Sequence, residues 1–83
     1  MSIKMVHVGF HHFINAERII AIAAPNSTPV KRNIQDAKES KVLVDLTSGR
    51  RTKAVIFTAS RHVILSALEP VTISGRIDGT TSG

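Results

Sequence analysis

At 83 residues with no cysteine, the chain has room for one small domain and excludes a disulfide framework or a thiolate zinc site. A formal net charge of +5 points to a polyanion partner, and the lack of any apolar run near the ~20 residues of a membrane span excludes a helical membrane anchor. So short a chain buries only about 60% of its unfolded surface, and its 42% hydrophobic residues, mostly Ile, Val, Leu and Ala, suit copies that cover one another.

Ile3-Lys4-Met5-Val6-His7-Val8 alternates in part and stops at Gly9, which predicts a first strand. His12-Phe13-Ile14-Asn15 predicts a short second one, and Asn15-Ala16-Glu17 a turn. Arg18-Ile19-Ile20-Ala21-Ile22-Ala23 reads as a third strand, apolar enough to be covered on both faces. Pro25 to Pro29 breaks the β pattern. Thr28 as N-cap, with Pro29 at the first helical position, then opens an amphipathic helix from about Pro29 to Ser40. Its apolar face is Val30, Ile34 and Ala37, extended by the aliphatic stem of Lys41.

Val42 to Leu46 and Thr52 to Thr58 read as a hairpin whose tip is Gly49-Arg50-Arg51-Thr52. His62 to Leu68 is a further strand, halted by Pro70. Val71 to Ile77 forms either a short helix or a fraying edge, and residues 78–83 form a polar tail after one domain over 1–77. The fold class is α+β, with antiparallel strands and one main helix in the order β-β-β-α-β-β-β.

The tip carries the chemistry. Arg50 and Arg51 are adjacent, permanently charged donor forks suited to phosphate or a guanine edge, and the nearest acid in sequence is Asp45. Asp45 itself braces the tip or ends its strand. Lys53 either reaches a phosphate or is a solvated strand end. Lys31 and Arg32 stand in the first turn of the helix, where its dipole disfavours cations, so they suggest an anion nearby. Of the eleven basic residues, those from Lys31 to Arg61 make up eight, against Asp36, Glu39 and Asp45. His7, His11, His12 and His62 lack a nearby carboxylate or cysteine to complete a metal set. No paired carboxylates, Ser-His-Asp order or phosphate-cradling glycine loop suggests catalysis, so no enzyme, cofactor or small-molecule substrate is expected.

In order, Val8-Gly9-Phe10, Asn15 to Ile22, Pro29 to Ala37, Val44-Asp45, Gly49 to Val55 and His62 to Ala67 resemble the RemA family of small bacterial regulators of extracellular-matrix genes. The resemblance spans roughly residues 3 to 72. It implies a transcriptional activator of matrix (biofilm) genes that binds double-stranded DNA as a ring-shaped homo-oligomer, with eight subunits expected. It also implies that Arg50 and Arg51 contact DNA and that Arg18 is functionally important, through either DNA or a neighbouring protomer. Ser48, where a bulkier residue is usual, and His11-His12, where Gly-Asn is usual, depart from the family pattern.

Repeated arginine tips would read DNA mainly through its shape and bendability, in either groove. A cytoplasmic, nucleoid-associated location is expected, since the start lacks the long apolar segment of a signal peptide. An RNA-binding or ribosome-associated module is the competing reading, although few aromatics are available for stacking. A structural ring that binds an acidic protein is the third.

Overall fold

The computed structural model describes residues 4–78. In chain order its elements are β1 (Met5–His7), β2 (Phe13–Asn15), a 3-10 turn (Ala16–Arg18), β3 (Ile19–Ala23), α1 (Thr28–Glu39), β4 (Leu43–Asp45), β5 (Ala54–Thr58), β6 (Val63–Ser66) and α2 (Pro70–Asp78). This is the α+β order expected from sequence, and the stretch after Pro70 is helical. Ile3 of the first expected strand and the tail beyond Asp78 lie outside the described residues; Asp78 itself closes α2.

β1 and β2 pair as a small antiparallel hairpin. The other strands form one sheet in the order β3-β5-β6-β4. β5 is antiparallel to both β3 and β6, whereas β4 runs parallel to β6. The hairpin expected around Gly49 therefore does not exist: β6 lies between its two arms. Every residue of β6 is buried, so it requires a neighbour on each side. β4 leaves Val44 exposed and ends in the carboxylate Asp45, which suits an edge.

Side-chain alternation splits the sheet's apolar residues between two faces. Ala54, Ile56 and Ile64 join Val6, Val8 and Ile73 beneath the β1–β2 hairpin and α2. Val55, Val63 and Leu65 face the other way, against Val30 and Ala37 of α1. Cover on both faces explains why these strands read as unbroken apolar runs.

The helix boundaries shift by one residue from the sequence reading. Ser27, rather than Thr28, is the N-cap: its hydroxyl accepts from the Val30 amide at 3.4 Å, and Pro29 falls inside the first turn. Val30, Ile34 and Ala37 face the sheet as expected, but Lys41 does not extend that stripe. It adopts φ +61°, with Val42 N donating to Ala37 O at 2.9 Å and Lys41 N to Lys38 O at 3.2 Å. These two bonds form a Schellman stop with lysine in glycine's usual place.

β3 does not have its expected two-sided cover: as the sheet's edge strand it leaves Ile20 and Ala21 exposed and the rest only half-buried. Ile19 and Ile22 pack on one core and Ala23 on the other. Ile20 falls at the register shift opposite β5 and is 70% exposed.

Ser66, fully buried, ties the layers together at one end of the sheet. Its hydroxyl donates to Val8 O at 2.8 Å and accepts from Leu68 N at 3.1 Å. Its carbonyl accepts from Lys53 N at 2.9 Å. Ser66→Ala strips the Val8 carbonyl of this donor, and an expected loss of about 1–3 kcal/mol follows for an unsatisfied buried group. Urea denaturation measures it; a loss under about 0.5 kcal/mol contradicts the role assigned to the hydroxyl.

Candidate nucleic-acid interface

The arginine tip is a short arch over the end of β6. Its outgoing leg is held where Leu46 N donates to Leu65 O at 3.0 Å, and its returning leg where Lys53 N reaches Ser66 O. Between the legs, Arg50 N donates to Thr47 O at 2.9 Å across Ser48 (φ +54°) and Gly49 (φ +82°). Two successive positive φ values are the mark of a type I′ turn, which glycine accepts freely and serine only with strain.

Asp45 braces this arch as the sequence suggested. One of its carboxylate oxygens accepts from the Thr47 hydroxyl at 2.6 Å and from the Thr47 amide at 2.9 Å. The hydroxyl first, and then the amide, hold the Asp45 carboxyl below its ordinary value, against a smaller opposing effect of burial. The carboxylate ends β4, and no carboxylate bridges to Arg50 or Arg51 among the described residues.

A second turn stands beside the first. Val8 N donates to His12 O and His12 N to Gly9 O, both at 2.9 Å, around Phe10 (φ +52°) and His11 (φ +64°). Phe10 is 41% exposed, and its ring centroid lies 5.9 Å from the Arg50 guanidinium carbon. Behind it, the Arg76 guanidinium donates to His7 O at 2.9 Å and lies 3.1 Å from the His7 ring, which locks α2 to β1.

Arg50, Arg51 and Lys53, all exposed, come together on one recess with His7, Gly9 and Phe10. The N-terminus of α1 opens at the same end of the sheet. Ala23 pairs with Val55 there, and Ala24 to Asn26 share a recess with Arg51, Lys53 and Glu69. Lys31 and Arg32 are exposed about one helical turn behind this end.

Arg18 is not part of the cluster. Its carbonyl accepts from Ala59 N at 2.7 Å, at the opposite end of β5. The five strand residues between place it roughly 16 Å along the strand from the tip. Arg18 instead borders the exposed Ile20 edge of β3. Phe10 escaped the sequence reading as a site residue. The signal, Gly9-Phe10 at the end of a strand, acquires meaning only when the two turns are known to be neighbours.

His7 and His11 are neighbours, whereas His62 lies apart at the β5–β6 turn. His62 Nδ1 shares a 2.8 Å bond with Ser60 Oγ, and His7 Nε2 accepts from His11 N at 3.3 Å. Among the described residues, no three His, Cys, Asp or Glu side chains gather to hold a metal, and no helix is long and apolar enough to cross a membrane.

The family model for proteins like extracellular matrix regulatory protein A matches residues 5–77, which include both turns and the whole sheet. The chain belongs to the RemA-like family. A relative from Brevibacillus brevis is 53% identical over 77 residues, 93% of this chain and 90% of its own. One from a Thermoanaerobacter species is 51% identical over 78 residues, 94% of this chain and 81% of its own. One from Dehalococcoides mccartyi is 48% identical over all 83 residues, 86% of its own length. Each bears a name that provisionally assigns it a regulatory role, and none is named for a reaction.

For this RemA-like tip, Thr47→Val keeps the bulk of a side chain only 3% exposed but removes the hydroxyl that Asp45 accepts. The expected cost is about 0.5–1.5 kcal/mol, with the Asp45 carboxyl rising toward its ordinary value. Because that carboxyl is lowered in the fold, its stabilising contribution is present above about pH 4 and fades as pH falls through the lowered value. NMR titration of the Asp45 carboxyl in both proteins measures the change; identical titrations contradict the bracing.

Proposed function

We propose that this protein is a DNA-binding transcriptional regulator in which a homo-oligomeric ring presents repeated arginine tips to double-stranded DNA. The observation that carries this reading is the stiff arch bearing Arg50 and Arg51, with Lys53 at its foot and no carboxylate paired to either arginine among the described residues. Guanidiniums that stabilise a fold usually meet a carboxylate or pack their stems. These two are exposed, and the backbone that holds them is fixed by bonds at both legs. That is the economy of a phosphate or base contact, in which the ligand supplies the missing negative charge.

A lone tip would bind feebly, since exposed charges are screened by salt. Repetition alters this, because once one subunit is seated its neighbours meet the same duplex at high effective concentration. Self-association has support in the edge of β3 and the adjoining face of α2. Ile20 is 70% and Val71 76% exposed beside a groove shared with Ile19, Ile22 and Ile77. Strand edges with exposed apolar neighbours are surfaces that proteins cover. Arg18 borders this edge, so in this reading its role is at the protomer boundary. The resemblance supplies the expected eight subunits and the sign of regulation, activation of extracellular-matrix genes.

Fluorescence anisotropy of a labelled duplex in a salt series tests the proposal. If the oligomer neutralises about 6–10 phosphates, affinity falls roughly 10³–10⁵-fold between 50 and 200 mM salt. Arg50→Ala/Arg51→Ala weakens binding and flattens this slope, with particle mass and thermal stability unchanged. Duplex binding by the double variant equal to wild type overturns the proposal.

A further inference from the structure

Between the two turns lies a recess of ≈460 Å³ whose composition exceeds what a duplex backbone requires. Arg50, Arg51 and Lys53 line it, and Gly9, Phe10 and Leu68 supply its apolar wall. Phosphates along a double helix need cations, and they leave an apolar wall without a partner. Glu69 borders the neighbouring recess with Arg51 and Lys53 and is absent from the lining of this one.

Phe10 is the sharpest observation. It keeps 41% of its surface exposed, belongs to neither core cluster, and sits at φ +52°, a conformation that disfavours a large side chain. Glycine would serve the turn better. A strained, exposed aromatic beside two guanidiniums that lack a carboxylate, one of them 5.9 Å from its ring centroid, calls for a use outside the fold.

We propose that this recess binds a nucleoside phosphate. The phosphates lie against Arg50, Arg51 and Lys53, whose donors they can accept from in fork geometry. The base lies flat on the free surface of the Phe10 ring, with Leu68 behind it, as bases stack on aromatic side chains in single-strand binders. Occupancy engages the two arginines that the proposed function assigns to DNA, so the nucleotide competes with the duplex. That competition rests on the DNA-binding reading; the binding of the nucleotide itself does not.

The test separates these two parts. In the first arm, isothermal titration calorimetry compares adenosine 5′-triphosphate and guanosine 5′-triphosphate with inorganic tripolyphosphate, at fixed ionic strength and with neither divalent metal nor DNA present. The wild type is expected to bind a nucleotide about tenfold more tightly than tripolyphosphate, in keeping with the stacking of one base. Phe10→Gly suits the positive φ, so the melting temperature is expected to hold or rise, while the tenfold preference falls to near one. Phe10→Leu, which keeps apolar bulk without an aromatic face, is the second variant and is expected to lose most of the preference. Equal wild-type affinity for nucleotide and tripolyphosphate, or a preference that survives in both variants, overturns the site. A Phe10 dependence seen with a single-stranded oligonucleotide but with neither free nucleotide also overturns it, because the recess then serves a strand. In the second arm, adenosine 5′-triphosphate is expected to release a labelled duplex at about one tenth the concentration of tripolyphosphate. Nucleotide binding without such release overturns the competition and leaves the site standing.

Discussion

The two turns at the cationic end of this protein are joined through Ser66. Its hydroxyl holds the first turn at Val8 and the entry to α2 at Leu68, and its carbonyl holds the foot of the arginine arch at Lys53. One buried residue therefore sets the spacing between Phe10 on one turn and Arg50 on the other. Stiffness at this point matters energetically. Two long arginine side chains lose rotamer freedom on binding, and a backbone already fixed keeps that cost from growing. The carboxylate of Asp45 adds to the same rigidity from the other leg by holding Thr47.

The two turns also share a conformational strategy. Phe10, His11 and Ser48 all adopt left-handed backbone conformations that glycine would take at lower cost. In each, the reverse turn aims short segments away from the sheet, toward the same end of the molecule. The fold can carry this strain because β5 and β6 are buried on both faces and anchor both segments. Opposite this end, Arg18 and the exposed Ile20 edge form a region of different character, with an apolar groove beside it. A subunit with a charged end for a polyanion and an apolar edge for its own kind is the physical basis of the assembly proposed here.

Much of this was legible in the chain because the signals were local. The apolar face of α1 follows from the spacing of Val30, Ile34 and Ala37, and the arginine tip from Thr47-Ser48-Gly49 next to two guanidiniums. The larger misread features depend on contacts distant in sequence. Val42–Leu46 and Thr52–Thr58 look like the arms of a hairpin because a turn separates them. Only the demand of Val63-Ile64-Leu65 for cover on two sides places β6 between them and makes β4 a parallel edge. Likewise, Lys41 fits the helical spacing by period, yet it turns the chain in a left-handed stop that no local pattern distinguishes from one more helical residue. Phe10 seemed an ordinary strand-end aromatic until the fold placed it beside Arg50, a residue forty positions away.

If identical arginine tips hold DNA by acting together, separating assembly from the tips themselves is decisive. Ile20→Glu/Val71→Glu places charge on the apolar edge and leaves Arg50 and Arg51 in position. Sedimentation velocity and duplex binding are recorded on the same sample. The account predicts a folded single subunit whose affinity for duplex DNA is lower by about 10²–10⁴-fold, the advantage that linked sites confer. A folded single subunit that grips the duplex as firmly as the wild type would contradict it.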